Sequence, residues 1–280
     1  MGALSVPESG NMAHMAQCID IHTHAFPDAI AAPTVAQLAG SAKHATITAW
    51  ADGTVAGLLA SMDATGIEKS VICSIATKPA QFAAILAWSK SIRCERLIPF
   101  PSLHPRDEHL LDHLRELIDA GFTGVKMHSY YQDYDLDDPS LDEFHGALAE
   151  AGLILVIHAG FDFSFAQIRR ADPQRILKVC RRFPRLKLIA THMGGWADWD
   201  EVEEHLIGQP LYMETSFAFE SLAPDRLRRM LLAHPADYLL FGSDSPWTGQ
   251  KESLAKLAAL DLPPELFDKI TSTNARALLG

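Results

Sequence analysis

The chain has 280 residues, 48% hydrophobic and 21% charged, a composition that allows an ordinary core and excludes a disordered chain or a small disulfide scaffold. Its formal net charge of −11 argues against a nucleic-acid or anionic-membrane surface, since both need clustered positive charge. A length of 280 residues suits two small domains or one α/β barrel.

Residues 1–16 have no basic stretch and no continuous apolar run, so they read as a flexible tail and not as a secretory signal. No apolar run approaches the roughly 20 residues of a membrane span. Cys18, Cys73, Cys94 and Cys180 show no metal or disulfide spacing and read as reduced thiols. These features together predict a soluble cytoplasmic protein.

Short runs rich in Val, Ile and Leu then recur along the chain. They predict strands at Cys18–His22, Ser70–Ile75, Leu97–Phe100, Gly124–His128, Leu153–His158, Leu186–His192, Leu211–Thr215 and Tyr238–Gly242. From the second onward they begin about 24 to 33 residues apart, room for one strand, one helix and their loops. Between them, Asp107–Ala120 places Leu110, Leu111, Leu114, Leu117 and Ile118 on a helical stripe that stops at Gly121. Pro139–Ala151 stops at Gly152, and Asp172–Phe183 stops before Pro184. The longest gap, about 25–69, predicts an extended loop over one end of the fold. Eight strands alternating with helices predict an α/β fold: a single-domain (β/α)8 TIM barrel over 17–280. A dinucleotide-binding sheet would want GxGxxG after its first strand, where this chain has His22-Thr23-His24.

Chemistry collects at the C-terminal ends of the predicted strands, the edge where barrel enzymes keep their sites. In a regular strand, residues two apart share a side. Alternation therefore turns His22 and His24 to one side and Ile19 and Ile21 to the other, toward the helices. His158 follows five aliphatic residues and precedes Ala159-Gly160. His192 precedes Met193-Gly194-Gly195, and Asp244 follows Gly242-Ser243. Each signal alone has a plain structural explanation, such as a hydrogen-bonded core histidine or a turn aspartate. Four strand ends bearing histidines and a carboxylate together predict one divalent ion, Zn2+ first, with Mn2+, Co2+ or Fe2+ as alternatives.

The segments HTH at 22–24, KMH at 126–128, IHAG at 157–160, THMGG at 191–195 and GSDSPW at 242–247 resemble the amidohydrolase superfamily. More narrowly they resemble its amidohydrolase-2 branch of metal-dependent TIM-barrel hydrolases and decarboxylases. The resemblance implies that His22, His24 and His158 hold the metal, with Asp244 as a further ligand or proton acceptor. It places His192 beside the metal, where it ligates a second ion or polarises substrate. Lys126 either bridges two ions as a carboxylated lysine or binds substrate, and a structural salt bridge inside the mouth is the plain alternative. His128, Arg106 and Trp247 are candidate substrate contacts, with Glu214 and Ser216 as further polar residues near the rim. The first expectation for function is a hydrolase that uses a metal-activated water, with Asp244 and His192 as catalytic groups, to cleave an amide, lactone or ester of a small molecule. The second is a metal-dependent nonoxidative decarboxylase of an aromatic or unsaturated acid. The third is a catalytically silent metal-binding barrel. A homodimer paired through barrel helices is the expected assembly.

Overall fold

The computed structural model describes residues 17–280, and the tail expected at 1–16 lies outside them. Strand β1 (Cys18–Thr23) leads into helices α1 (Asp28–Ser41) and α2 (Val55–Thr65), then β2 (Ile67–Cys73), α3 (Phe82–Ile92), β3 (Leu97–Phe100) and α4 (Leu110–Asp119). The chain continues through β4 (Gly124–Met127), α5 (Asp142–Ala151), β5 (Ile154–Ile157), α6 (Pro173–Arg182), β6 (Lys187–Ala190), α7 (Trp199–His205) and β7 (Tyr212–Glu214). It closes with α8 (Ala218–Ser221), α9 (Pro224–Ala233), β8 (Leu239–Leu240), α10 (Gln250–Ala258), α11 (Pro264–Asp268) and α12 (Asn274–Leu279). Every strand expected from the apolar runs is present. The helix expected from Asp107 starts at Leu110, and the one expected from Pro139 opens with a 3-10 turn before α5.

All the strands pair in parallel, in two runs, β1-β2-β3 and β4-β5-β6-β7-β8. Hydrogen bonds join the runs at both seams. Lys126 N donates to Pro101 O (2.9 Å) and Ser102 Oγ to Lys126 O (2.8 Å) between β3 and β4. Ile21 N donates to Phe241 O (2.9 Å) and Asp244 N to His22 O (2.7 Å) between β8 and β1. The eight strands form a TIM barrel with its helices outside. Two apolar layers result. Ile19, Ile21, Val71, Phe100, Val156, Ile189 and Leu240 fill the barrel, and Ala275 and Leu278 of α12 join this cluster. Arg276 of α12 reaches Gln17 O (3.3 Å), so this helix plugs the end where β1 begins. The second layer lies between strands and helices, where Leu155, Leu188 and Leu239 meet Leu117, Leu148, Val179 and Leu257. Each fully buried side chain of this kind contributes about 1.5–3 kcal/mol.

The inner layer corrects the alternation expected for β1. Ile19 and Ile21 face the barrel interior, not the helices. Asp20 pairs with Ser70 but Thr23 pairs with Ile72, so β1 holds one more residue than β2 across this stretch. Such a bulge lets neighbouring side chains share a side. Ile21 and His22 both point inward, and His22 reaches Lys126 of β4 and Glu214 of β7. Asp20 faces the other way and pins the bulge. Its carboxylate accepts from His22 N (3.1 Å), Ser243 N (3.0 Å), Ser243 Oγ (2.6 Å) and Gln250 Nε2 (2.9 Å). The segment carrying Asp244 is thereby fixed against β1.

The long gap after β1 holds α1 and α2. Thr54 caps α2 by accepting from Gly57 N (2.9 Å), and Gly66, at φ 80°, ends it. α2 packs on β2 and α10, while α1 lies at the barrel mouth, where Pro27, Ile30 and Leu38 line a cavity. Among the described residues, no helix is long and apolar enough to cross a membrane, and all four cysteines are free.

Candidate metal centre

Three buried ligand atoms converge at the C-terminal end of the barrel. His22 Nε2 and His24 Nε2 lie 3.4 Å and 3.0 Å from Asp244 Oδ1. The side chains bearing them belong to a set whose ligand atoms all fall within 4.8 Å of one another. The opposite ring nitrogens fix the tautomers. His24 Nδ1 is 2.7 Å from Cys73 O, a carbonyl that can only accept, so Nδ1 carries the proton and Nε2 keeps its lone pair. His22 Nδ1 is held the same way by Glu214 Oε1 (3.1 Å). Asp244 Oδ1 is buried without a hydrogen-bond donor. Two imidazole lone pairs and a carboxylate oxygen facing one point repel each other unless a cation lies between them. The donor set and the outer partners that orient it fit a divalent metal ion.

Burial sets the charge state of the surrounding groups. Desolvation holds His22, His128 and His192 well below the ordinary imidazole range and takes His158 down to about 3. They are therefore neutral at pH 7, as metal ligation requires. Burial lowers Lys126 as well, against the pull of Cys73, Asp244 and Glu214, and it raises Asp244 against the pull of His24 and Lys126. It pushes Asp20 up to about 7. These shifts predict how the metal-free protein responds to acid. Unfolding restores imidazoles to about 6.5, so below that pH the unfolded chain takes up protons that buried His22, His128, His145, His158 and His192 refuse. Asp20, Asp162 and Asp244 act oppositely, binding protons more readily when folded, but they are fewer. The melting temperature of the metal-free protein is expected to fall between pH 7 and pH 5. A rise over that range in thermal denaturation would contradict neutral buried imidazoles.

The cluster sits at the base of a cavity of ≈ 550 Å³. His22, His24, Lys126, His128, His158 and Asp244 form its floor, and the charged residues in its lining are Lys126, Asp162 and Asp244. Lys126 Nζ lies 3.2 Å from His22 Nε2. The rest of the lining is largely apolar and aromatic.

The amidohydrolase-2 family model matches residues 19–280. This chain belongs to the amidohydrolase-2 family. No curated protein sequence matches it. Solved structures share its TIM-barrel fold at low identity. An uncharacterised TIM-barrel protein from Bordetella bronchiseptica superposes with a TM-score of 0.75 at 18% identity, covering 94% of this chain and 98% of its own. A 2,6-dihydroxybenzoate decarboxylase, solved with 2,6-dihydroxybenzoate, gives 0.70 at 17% identity, covering 94% and 99%. A 5-carboxyvanillate decarboxylase from Novosphingobium aromaticivorans, with bound manganese, gives 0.68 at 14% identity, covering 94% and 97%.

Within this amidohydrolase-2 barrel, the sequence candidates divide. His22, His24 and Asp244 converge, and Lys126, His128, His158 and Trp247 line the same cavity. His158 is not part of that converging set; its ligand atom groups with those of His128 and Asp162. Its Nε2 is 2.9 Å from Phe161 O and its Nδ1 is 3.1 Å from His192 Nε2. Its ring stacks on His128 at 4.1 Å. His192 is outside the cavity lining, buried between His158 and Ser216, whose Oγ is 2.8 Å from its Nδ1. Arg106 is a correction. It does not reach the cavity, because the turn after β3 carries it outward to donate to Asp133 Oδ2 (2.5 Å) and Asp133 O (2.8 Å), with 64% of its side chain exposed.

Three residues carry more weight than their sequence context suggested. Glu214 is fully buried under the site rather than at its rim, and accepts from His192 N (2.9 Å), Ser216 N (2.6 Å) and Ser216 Oγ (2.7 Å) as well as holding His22. Its position as the last residue of an apolar strand was the available signal. Asp162 comes within 3.4 Å of His128 Nε2 and 3.7 Å of His158 Nε2. Trp88, on α3, joins the cavity wall. A loop acid and a helix tryptophan show no periodicity that would have marked them.

Proposed function

We propose that this protein is a metal-dependent nonoxidative decarboxylase of an aromatic or unsaturated carboxylic acid. The observation that carries this reading is Lys126, a fully buried lysine beside the His22–His24–Asp244 cluster, at the base of a cavity with few other charges. A buried cation in apolar surroundings recruits an anion, and a substrate carboxylate is the anion a decarboxylase needs. The 2,6-dihydroxybenzoate and 5-carboxyvanillate decarboxylases among the structural relatives support the same choice.

The group implied by the family is one divalent ion, held by His22, His24 and Asp244, with His158 of the same cavity lining as the further candidate ligand. Zn2+ suits this donor set, and manganese is bound in the Novosphingobium relative. When bound, such an ion supplies Lewis acidity toward a substrate oxygen. The chain's own residues perform the rest. Lys126 draws in the carboxylate. Asp244, protonated, gives its proton to the carbon that bears the carboxylate. The bond from that carbon to the carboxylate then breaks, its electrons restore the ring or double bond, and CO2 leaves. Asp244 regains its proton from solvent. Phe161 O and His192 hold the His158 ring in place. The free buried thiols Cys18 and Cys73 suit a reducing compartment, and we place the enzyme in the cytoplasm.

Hydrolysis of an amide, lactone or ester is the second reading. It draws on the same cluster, because Asp244 Oδ1, without a donor, is equally free to take a proton from water. The discriminating experiment loads the protein with Zn2+ or Mn2+ and incubates it with hydroxybenzoates and, separately, with lactones and esters. CO2 release from an acid is expected, and Lys126→Met is expected to raise KM for that acid by roughly tenfold to a hundredfold. Lactone or ester cleavage without CO2 release would replace this reading with hydrolysis. A protein that holds the metal but is inactive on both would point to the silent metal-binding barrel, and one that takes up no metal would remove the metal mechanism.

A further inference from the structure

The cavity is larger than its floor requires. An acid the size of dihydroxybenzoate has eleven non-hydrogen atoms and, at roughly 20 Å³ each, against about 30 Å³ for a liquid water, fills less than half of ≈ 550 Å³. The excess volume has a definite place and character. The cavity runs from the metal cluster out between α1 and α3. Ile30 and Leu38 line one side together with the neutral polar Thr34 and Gln37 of the same α1, and Ile85 and Trp88 of α3 line the other. α3 turns Phe82, Leu86 and Ser89 into the protein, which leaves Ile85 and Trp88 on its flank. Ile30 stays 50% exposed at this wall, although α1 buries Ala31 and Val35 beside it. None of the charged lining residues, Lys126, Asp162 and Asp244, lies on α1 or α3.

We infer that the substrate carries an uncharged apolar substituent or second ring, housed between α1 and α3 while its carboxylate reaches Lys126. The inference rests on the decarboxylase reading for the carboxylate end alone. The arm opens directly into the candidate site, so its occupant is part of the same molecule that reacts there. A charged tail, such as a phosphate or a second carboxylate, finds no charged partner in the arm, where Thr34, Gln37, Thr77 and Gln81 offer only neutral polar groups, and it loses its hydration on entry. An alkyl or aryl group trades water for Ile, Leu and Trp surfaces, and each buried methylene tightens binding by about fourfold.

The test is a calorimetric titration of the Zn2+-loaded protein with 2-hydroxybenzoate and its 4-methyl, 4-propyl and 4-pentyl derivatives. Kd is expected to fall stepwise with chain length, by up to about fourfold per methylene. Ile85→Asp is expected to flatten that dependence. Trp88 supplies a second readout that does not depend on the folding of that variant. The difference in ligand-induced fluorescence quenching between wild type and Trp88→Phe is expected to grow with chain length. Affinity that stays level or weakens with length, with no length-dependent quenching at Trp88, overturns the inference. If affinity climbs with length but no acid releases CO2, the apolar arm stands and decarboxylation fails. If the unsubstituted acid binds and is decarboxylated while the length dependence is flat, the arm alone fails.

Discussion

Asp244→Asn is expected to lower kcat by about 1,000-fold and to reduce the metal retained after dialysis. The substitution keeps the size of the side chain and removes its charge. Asp244 Oδ1 is the atom on which the His22 and His24 Nε2 lone pairs converge, at 3.4 Å and 3.0 Å, and it has no donor of its own. A neutral amide oxygen attracts a cation less, and the amide carries no proton that it can give to carbon. Both deficits act on the same site, so metal content by elemental analysis should be read beside kcat. The melting temperature of the metal-free variant should stay close to wild type or rise, because one buried carboxyl no longer resists ionisation. Full metal retention together with kcat within tenfold of wild type would remove Asp244 from the centre of the mechanism.

Gly160→Ala is expected to produce the largest loss of stability of any single methyl addition near the site. Gly160 sits at φ +82°, where a side chain is strained by about 1 kcal/mol or more. An added Cβ would also lie 2.3 Å from Trp196 N and 2.5 Å from Gly195 C, both backbone atoms that cannot rotate away. The chain is locked there by Gly160 N to Ala171 O (2.9 Å), Trp196 N to Ala159 O (2.9 Å) and Phe161 N to Trp196 O (2.9 Å). Strain and overlap together should cost about 3–5 kcal/mol, a melting temperature lower by roughly 10 °C. The displaced loop carries Phe161 O, which orients His158, so metal affinity should fall with stability. A melting temperature within 2 °C of wild type, by circular dichroism, would show that the two loops do not approach so closely.

The strands and the family were legible in the residues because both are written locally. Val-, Ile- and Leu-rich runs such as Leu153–Ile157 have few alternatives to a buried parallel strand, and Gly152 and Gly160 mark where one stops and turns. A histidine or aspartate directly after such a run must emerge at the barrel's C-terminal edge, which is why His22, His24, His158, His192 and Asp244 could be gathered without a structure. Arg106, chosen only because it follows β3, did not reach the site. A residue six positions past the strand end takes its direction from the loop's path, and here Asp133, distant in sequence, holds it at the surface. The choice between hydrolysis and decarboxylation was equally illegible, because both reactions draw on the same His22, His24 and Asp244, and the sequence leaned toward hydrolysis.

The sequence by itself determined the order of the elements, the edge at which the polar residues emerge and the family to which they belong, since each depends on spacing along the chain. Tertiary structure decided which atoms meet. The additional residue in β1, visible only in its pairing with β2, brings Ile21 and His22 inward together. Glu214 orients His22 because closure at the seam between β8 and β1 brings β7, one strand beyond β8, within reach of β1. The apolar arm exists because α1 and α3, separated by β2, flank one opening. Tautomers, cavity shape and convergence on a single point are relations between distant segments. They follow from barrel closure and side-chain packing, and no periodicity within a segment encodes them.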